Sequence, residues 1–394
     1  VSIDLDRFKN VNDTMGHAAG DELLCAASQR LQACVPAGAV VARPGGDEFI
    51  VLLPDADETT ATGVAGLALA ALSRPFALRG VERHLGASAG IALAPQHGRE
   101  RDELMRCADI ALYAAKDGGR GQHALFDADL DRVARERVVL QAELRRAIDR
   151  AEFVVHYQPR VQPGDGRILS AEALVRWQHP QRGLLFPGAF IEVAESAGLI
   201  DEIGLCVLDA ACAQAAAWRR AGLALQRVSV NVSPRQLVAG NLPEVVAEVL
   251  ARHQLPCGAL ELEVTESLLM NDPGNARAQL AVLRQRGVTI ALDDFGTGYS
   301  SMALLHKLPI DVMKVDRAFV AGLGVDDGAM AITRAIVTLA RSLRMHLVAE
   351  GVETEAQAEM LRSLGCDELQ GFLYSRPVAA PEFERLAGLP RGGA

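Results

Sequence analysis

Polar side chains that could bind a metal recur at the ends of apolar, strand-like runs in the second half of the chain. The eight residues are Glu172, Asn231, Glu263, Asp293, Asp294, Lys314, Glu350 and Gln370. Five of the eight are carboxylates, and a carboxylate on an apolar segment is costly to bury without a partner. Any one of them could be a solvated loop acid, but the recurrence of the pattern indicates one shared site.

The donor atoms of this set indicate which metal it would bind. Oxygen ligands without an accompanying cluster of Cys and His suit Mg²⁺ or Mn²⁺ rather than zinc. Two such cations about 4 Å apart can activate a water and stabilise the leaving oxygen of a phosphodiester. We therefore expect metal-assisted hydrolysis of a phosphate ester.

A second set of acids lies in the first half of the chain. The run Gly45-Gly46-Asp47-Glu48-Phe49 sits between two strand-like runs, where the glycine pair permits a tight hairpin with acids at its tip. A plain surface turn has the same composition, so the interpretation depends on the neighbouring motifs. These are Asp4-Leu5-Asp6-Arg7-Phe8-Lys9-Asn10-Val11-Asn12-Asp13, Gly16-His17, Gly20-Asp21 and Lys116-Asp117-Gly118-Gly119-Arg120-Gly121.

Residues 1–126, which carry this second set, have the pattern of an α+β domain. Strand-like runs occupy residues 1–5, 40–43, 49–53 and 86–93. Helix-like stretches, with apolar residues at three- and four-residue spacing, occupy residues 20–34, 58–72 and 101–115. Residues 127–149 are charged, helix-periodic and free of Gly and Pro, which predicts a helical linker.

Residues 150–390 have the pattern of a TIM-like (β/α)₈ barrel, because short β-rich runs alternate there with helices. The runs are residues 154–157, 170–174, 227–232, 260–264, 289–292, 312–315, 346–348 and 368–371. The carboxyl ends of the strands of such a barrel meet at one mouth, which would bring the metal-binding residues together. The predicted fold class is therefore α/β, with an α+β domain followed by a barrel.

Composition limits the class of partner. The chain has 394 residues and a formal net charge of −10, which argues against broad binding to nucleic acid or to an anionic membrane. The seven cysteines are scattered without a C-x-x-C pair, and no apolar run approaches about 18 residues, so we expect a cytoplasmic segment. The chain starts at Val1 on a strand-like run, so we also expect that an N-terminal part is missing, such as the sensor region of a larger protein.

Eight motifs follow one another along the second half with compatible spacing. They are Tyr157-Gln158-Pro159, Glu172-Ala173-Leu174-Val175-Arg176-Trp177, Asn231-Val232-Ser233, Glu263-Val264-Thr265-Glu266, Asp293-Asp294-Phe295-Gly296-Thr297-Gly298-Tyr299-Ser300-Ser301, Lys314-Val315-Asp316, Ala349-Glu350-Gly351-Val352-Glu353 and Gln370-Gly371-Phe372. Together they resemble the EAL family of cyclic di-GMP phosphodiesterases, over roughly residues 135–388. The resemblance implies hydrolysis of cyclic di-GMP to linear pGpG with two Mg²⁺ or Mn²⁺ ions.

The resemblance also implies a role for each residue. The metals would be held by Glu172, Asn231, Glu263, Asp293, Asp294 and Glu350. Glu172 and Glu350 would be catalytic, together with Lys314, which would position or deprotonate the attacking water. Gln158, Arg176 and Gln370 would contact the substrate. Glu266 would brace the loop 294–301, whose glycines give it the freedom of a moving gate.

The motifs of the first half resemble the GGDEF family of diguanylate cyclases, which join two GTP molecules and often precede an EAL domain. The resemblance implies that Asp4, the Leu5 carbonyl, and Asp47 or Glu48 bind Mg²⁺, with Glu48 and Lys9 as catalytic residues. It implies that Asn12 and Asp21 read guanine and that His17 also contacts the substrate. It implies that Lys9, Lys116 and Arg120 neutralise the triphosphate.

This half departs from the family pattern at two places. Pro44 stands where the family usually has a large apolar side chain, and proline fixes φ and removes a backbone donor at the hairpin. We therefore expect weakened cyclase geometry. Pro36 and Ala39 stand where the family's product-inhibition motif would have Arg and Asp, so we expect that inhibitory site to be absent.

The sequence thus predicts a GGDEF domain over residues 1–126, truncated at its start, a helical linker over 127–149 and an EAL domain over 150–390. Expected partners are cyclic di-GMP, GTP with Mg²⁺, and a second copy of the chain in a homodimer. We expect neither nucleic acid nor a membrane as a partner of this segment. Two alternatives stay open: the first domain is only a GTP-binding regulatory module, or the whole chain is a non-catalytic cyclic di-GMP receptor.

Overall fold

The structure, a computed structural model, describes residues 1–266, 273–296 and 308–388. The chain divides into two compact units, Val1–Val139 and Leu140–Ala394. The division falls inside the segment predicted as a linker, which forms one helix, Ala128–Asp149. Among the described residues, no helix combines the length and the hydropathy needed to cross a membrane.

The first unit is built on a five-stranded sheet and the helices around it. Its strands are β1 (Ser2–Leu5), β2 (Val40–Gly45), β3 (Glu48–Leu52), β4 (Phe76–Leu78), β5 (Val81–Arg83), β6 (Ala87–Ile91) and β7 (His123–Leu125). Its helices are α1 (Phe8–Met15), α2 (His17–Cys34), α3 (Glu58–Leu72) and α4 (Arg101–Asp117), followed by α5 (Ala128–Asp149) at the division. The sheet order is β2-β3-β1-β6-β7, and β4 pairs with β5 in a separate hairpin.

Burial explains why these segments form these elements. The central strand β1 is buried along its whole length. Helix α2 buries Ala19, Leu23, Ala27 and Leu31, which recur every four residues and form one apolar face. The structure also contains α1, the β4–β5 hairpin and β7, which the sequence patterns do not predict. Helix α1 buries only Phe8 and Val11, so its apolar period is too short to recognise.

The second unit contains a closed barrel. Its strands are β8 (Phe153–Val161), β9 (Ile168–His179), β10 (Gly183–Leu185), β11 (Arg227–Asn231), β12 (Leu260–Thr265), β13 (Thr289–Phe295), β14 (Val312–Val315), β15 (His346–Ala349), β16 (Glu368–Gln370) and β17 (Val378–Ala379). The described helices of this unit are α6 (Ile191–Ala197), α7 (Ile200–Arg220), α8 (Pro234–Val238), α9 (Leu242–His253), α10 (Pro273–Gln285), α11 (Arg317–Ala321), α12 (Asp327–Ser342), α13 (Glu355–Leu364) and α14 (Ala380–Leu386).

The predicted barrel is confirmed, with one difference in its first strand. The closed order is β9-β11-β12-β13-β14-β15-β16-β8, and β8 pairs with β9 to complete the circle. Strand β8 runs antiparallel to both of its neighbours, whereas the other strands of the circle run parallel to one another. The connection from β8 to β9 is a tight turn in which Gln162 N donates to Arg167 O at 2.9 Å. So short a connection allows only an antiparallel pair, because a parallel crossover needs a dozen or more residues.

Candidate active sites

The barrel brings the predicted metal-binding residues to one mouth. Glu172 lies in β9, Glu263 in β12, and both Asp293 and Asp294 in β13. Asn231 ends β11, Gln370 ends β16, Lys314 lies in β14 and Glu350 follows β15 directly. Oxygens of Glu172, Glu263 and Glu350 all lie within 4.8 Å of one another. Three carboxylates at this separation repel one another strongly unless a cation lies between them.

Lys314 provides such a cation. Its side chain is buried, and its Nζ donates to Glu263 Oε2. The same Nζ lies 3.1 Å from Asp293 Oδ1 and 2.5 Å from Glu350 Oε1. Burial alone would lower the pKa of the ammonium, but Glu172, Glu263 and Glu350 together raise that pKa well above its ordinary value. Lys314 is therefore held at the centre of the carboxylate ring.

The carboxylates of the ring differ in pKa. Burial would raise the pKa of Glu263, but Lys314 and Arg160 lower it to about 2. Burial raises the pKa of Glu350 to about 8, aided by the charges of Asp293 and Glu172 and opposed by Lys314. Burial and the charge of Glu263 also raise the pKa of Glu172. Carboxylates packed this closely fit divalent cations, whose charge offsets their mutual repulsion, and their donors are the oxygens that Mg²⁺ and Mn²⁺ prefer.

Side-chain amides complete the mouth. Asn231 Nδ2 donates to Glu172 Oε1 at 3.0 Å. Gln370 Nε2 donates to Glu172 Oε2 at 2.5 Å and to Gln158 Oε1 at 3.0 Å. Gln158 in turn donates to the Ser375 carbonyl at 3.0 Å. The structure therefore joins the predicted substrate-binding residues Gln158 and Gln370 to the predicted metal ligand Glu172.

Arg176 lies on β9 four residues beyond Glu172, so strand alternation directs both to the same face. Its side chain is buried, its guanidinium lies 4.9 Å from the ring centre of Phe186, and its Nη1 donates to Val175 O at 2.7 Å. The buried Nε has no hydrogen-bond partner among the described residues. A buried guanidinium with a free donor is suited to an anion, which agrees with the predicted phosphate contact.

Some motif residues position the ring by capping helices. Ser233, two residues after Asn231, accepts from Gln236 N at 3.3 Å and begins α8 in a capping box. Asp316, two residues after Lys314, accepts from Ala318 N at 2.9 Å and begins α11. Glu266 follows β12 directly and is half-buried. The loop that Glu266 is predicted to brace lies partly outside the described residues, since residues 297–301 are not among them.

The first unit brings its predicted metal-binding acids together across two strands. Gly45 pairs with Glu48 to close the β2–β3 hairpin, with Gly46 at φ 54° in the turn. Glu48 lies directly opposite Asp4 in the β1–β3 ladder. Lys116 Nζ lies 2.7 Å from Asp4 Oδ1. Burial raises the pKa of Asp4, Lys116 opposes that shift and Asp47 adds to it. Like charges opposite each other destabilise a sheet, so this pair of acids also fits a divalent cation.

Pro44 is accommodated at this hairpin. It lies in β2, which is the edge strand of the sheet, and the register of β2 against β3 shifts between Ala42 and Gly45. Edge strands and bulges are the places where a sheet tolerates proline, because no ladder hydrogen bond is lost there. The hairpin therefore closes with Pro44 present.

The other predicted residues of the first unit are less closely joined. The buried Asn12 Oδ1 has no hydrogen-bond partner among the described residues. A Cβ added at Gly20 would lie 2.0 Å from that oxygen, so glycine makes room for the Asn12 side chain. Four further predicted residues are exposed, and none of them forms an ion pair with Asp4 in the described part of the chain. They are Lys9, His17, Asp21 and Arg120.

Two buried residues that the sequence patterns do not single out also belong to these sites. Asp6 accepts from Ser88 Oγ at 3.0 Å and from Gly121 N at 3.2 Å, and so ties the loop that carries Arg120 to the end of β1. Arg160 lies inside the barrel and donates to Glu263 Oε1. The signal for both was strand alternation, because Asp6 follows Asp4 and Arg160 follows Gln158 by two residues.

Comparison with known families matches both units. Residues 141–377 match the EAL domain, and residues 1–122 match the family described as diguanylate cyclase, GGDEF domain. The EAL match covers more than half of the 394-residue chain.

Two similar proteins align with nearly the whole of this chain. The chain is 44% identical over 380 residues to the bifunctional diguanylate cyclase/cyclic di-GMP phosphodiesterase MucR of Pseudomonas aeruginosa, covering 96% of this chain and 56% of MucR. It is 40% identical over 385 residues to the cyclic di-GMP phosphodiesterase PdeR of Escherichia coli, covering 98% of this chain and 58% of PdeR. The chain thus spans a little over half the length of these relatives.

A solved structure is similar to the second unit. The structure described as PaMucR phosphodiesterase, c-di-GMP complex, is 46% identical, with a TM-score of 0.60. The likeness covers 62% of this chain and 99% of that one.

Proposed function

The chain belongs to the EAL family, with a GGDEF domain preceding the EAL domain, and from this we propose that it turns over cyclic di-GMP. The barrel hydrolyses cyclic di-GMP to linear pGpG with two Mg²⁺ or Mn²⁺ ions. The observation that carries the proposal is the ring of carboxylates around Lys314, which contacts Glu263, Asp293 and Glu350. Relatives named as cyclic di-GMP phosphodiesterases support the choice of substrate.

The residues of the mouth divide the work of hydrolysis. Six of them would hold the metals: Glu172, Asn231, Glu263, Asp293, Asp294 and Glu350. Bound divalent ions would supply an activated water and neutralise charge on the phosphodiester. Lys314 orients the attacking water, since its ammonium already lies among the ligands. Arg176 pairs with a phosphate of the substrate through its free donor.

The reaction balances with water as the only co-reactant. The water oxygen forms a new bond to phosphorus, and the bond from phosphorus to the 3′ oxygen breaks. The proton lost by the water is matched by the proton gained by the 3′ oxygen. The product is a linear dinucleotide with a 5′ phosphate and a free 3′ hydroxyl.

We also propose that the first unit binds GTP with Mg²⁺, and that two copies of the chain must meet for cyclisation. The acids Asp4 and Glu48, which face each other across β1 and β3, support metal binding. The free carbonyl oxygen of Asn12 supports recognition of a donor group on guanine. Lys116 and Arg120 would neutralise the triphosphate. The scattered, odd set of cysteines supports a cytoplasmic location.

The test pairs equilibrium binding with turnover. Purified protein is incubated separately with cyclic di-GMP and with GTP in the presence of Mg²⁺, and the products are resolved by chromatography. We expect linear pGpG from the first incubation. Binding of cyclic di-GMP without any product would instead identify a non-catalytic receptor. Binding of GTP without formation of either cyclic di-GMP or pGpG would identify the first unit as a regulatory module.

A further inference from the structure

Arg160 is a fully buried cation inside the barrel, and each of its three guanidinium nitrogens donates a hydrogen bond. Its Nε donates to Gln370 Oε1 at 2.8 Å. Its Nη1 donates to Glu261 Oε1 at 2.6 Å, and its Nη2 donates to Glu263 Oε1. Arg160 therefore links two residues of the mouth to an acid deeper in the barrel.

The two carboxylate oxygens of Glu263 accept hydrogen bonds from different residues. Oε1 accepts from Arg160, and Oε2 accepts from Lys314. Arginine cannot lose its proton in a protein, and Arg160 has no exposed surface through which its guanidinium could turn to solvent. Lys314 reaches Glu263 on a flexible stem and has two other carboxylates to contact. When a cation enters the mouth, Oε2 is therefore the oxygen that Glu263 can offer.

The contact with Gln370 fixes the direction of its amide. A guanidinium only donates, so the Gln370 atom that faces Arg160 must be the carbonyl oxygen. The amide nitrogen then faces the opposite way, where it donates to Glu172 Oε2 and Gln158 Oε1. Arg160 thus orients Glu172 through Gln370, in addition to holding Glu263 directly.

The third contact holds Arg160 in place from the side away from the mouth. Glu261 precedes Glu263 by two residues on β12, so both point into the barrel at successive levels. Glu261 also lies 2.8 Å from Arg227 Nε, and Arg227 lies 2.9 Å from Glu368. Arg227 therefore belongs to the same buried network as Arg160, but its described ion pairs, with Glu261 and Glu368, do not include a residue of the mouth.

We propose that Arg160 is a positioning residue of the metal site, which reserves Oε1 of Glu263 so that this carboxylate binds a metal through Oε2 alone. The inference rests on the proposed metal-dependent function of the barrel. A single-oxygen ligand suits the strict octahedral geometry of Mg²⁺, whereas a carboxylate free to bind through both oxygens suits Ca²⁺. Arg160 therefore favours Mg²⁺ over Ca²⁺ as well as strengthening metal binding.

The test measures metal binding without substrate, by calorimetric titration of chelator-treated full chain with Mn²⁺, Mg²⁺ and Ca²⁺. The variants are Arg160→Met and Arg160→Lys, with Arg227→Met as the matched control. We expect Arg160→Met to weaken Mn²⁺ binding by about tenfold or more, the usual effect of removing a partner that orients a ligand. Its preference for Mg²⁺ over Ca²⁺ should fall too. The Mn²⁺ affinity of Arg160→Lys should lie between those of the parent and Arg160→Met, because one ammonium cannot hold both Glu263 and Gln370.

Arg227→Met should keep its metal affinity within about twofold of the parent, because Arg227 pairs with Glu261 and Glu368 and not with a proposed metal ligand. Unchanged Mn²⁺ affinity in a folded Arg160→Met protein would overturn the inference. Equal losses in the Arg160 and Arg227 variants would also overturn it, because they would show that the network acts only on stability. If Arg160→Met does not fold, Arg160→Lys against Arg227→Lys decides in the same way.

The result is separable from the proposed function. A parent protein that binds Mn²⁺ but does not hydrolyse cyclic di-GMP would contradict the phosphodiesterase activity and leave the Arg160 comparison intact. A parent protein that binds no Mn²⁺ would contradict both.

Discussion

Replacing Glu368 with glutamine should destabilise the barrel in a pH-dependent way. The Glu368 side chain is fully buried. It accepts from Ser170 Oγ at 2.5 Å and from Arg227 Nη2 at 2.9 Å, and it lies 2.9 Å from His346 Nε2. Burial would raise the pKa of Glu368, but His346, Arg227 and Ser170 lower it to about 2. The ionised form is therefore strongly favoured by folding.

The size of the destabilisation and its pH window follow from the lowered pKa of Glu368. A fall in pKa from 4.5 to about 2 corresponds to about 3 kcal/mol of stability. Because the pKa is lower in the folded state, the stabilisation is complete above pH 4.5 and is lost as the pH falls from 4.5 towards 2. Glu368→Gln should lose about 3 kcal/mol of unfolding free energy at pH 7 but only about 1 kcal/mol at pH 3.

The assay is urea unfolding followed by tryptophan fluorescence at pH 7, 5, 4 and 3. Both tryptophans of the chain, Trp177 and Trp218, are buried in the barrel unit, so the signal reports that unit alone. The matched control is Glu359→Gln, which removes an exposed acid paired with Arg362 and should change stability little. A Glu368→Gln protein as stable as the parent at pH 7, or a difference that does not shrink towards pH 3, would refute the reasoning.

Three further predictions follow from the contacts at the two sites. Lys314→Ala should lower kcat for cyclic di-GMP by about a hundredfold or more and leave substrate affinity nearly unchanged, because Lys314 acts in the chemical step. A change confined to KM would contradict this role. Gly20→Ala places a Cβ 2.0 Å from Asn12 Oδ1 and should weaken GTP binding by calorimetry about tenfold, whereas Gly63→Ala, where a Cβ meets nothing within 4 Å, should not. Pro44→Leu is assayed in a Glu172→Ala background, which removes hydrolysis. It should change the rate of cyclic di-GMP synthesis by less than about threefold, because Pro44 lies in a bulge of an edge strand. A large gain would show that proline distorts the hairpin.

The convergence of the polar residues on the mouth of the barrel could be predicted from where they stand in the sequence. Glu172, Glu263 and Lys314 each interrupt an apolar run, and a parallel barrel brings the ends of such runs to one mouth. In the first unit, alternating strand-like runs on either side of Gly45 and Gly46 likewise predict the hairpin that the structure contains. Local patterns are sufficient in both places, because each residue's position depends on its own strand.

What could not be predicted depends on contacts between distant segments. Arg160 is separated from Glu261 by 101 residues and from Gln370 by 210, so its partners are set by barrel closure rather than by local pattern. The reversed direction of β8 depends on the turn at Gln162, whose length a hydrophobic pattern does not fix. Nor does the sequence show that β2 is an edge strand, which is the position at which a sheet accommodates Pro44.

The most direct test of the central claim is turnover of cyclic di-GMP by the full chain, with Glu172→Ala as the variant and excess chelator as a second arm. Glu172 contacts both Asn231 and Gln370, so its loss removes one proposed metal ligand and releases both of these amide side chains while the surrounding barrel is kept. Products are resolved by chromatography, and Trp fluorescence verifies that the variant is folded. We predict that the parent forms linear pGpG with Mg²⁺ or Mn²⁺, and that the variant and the chelated protein do not. Full turnover by Glu172→Ala, or in excess chelator, would contradict the metal-dependent account.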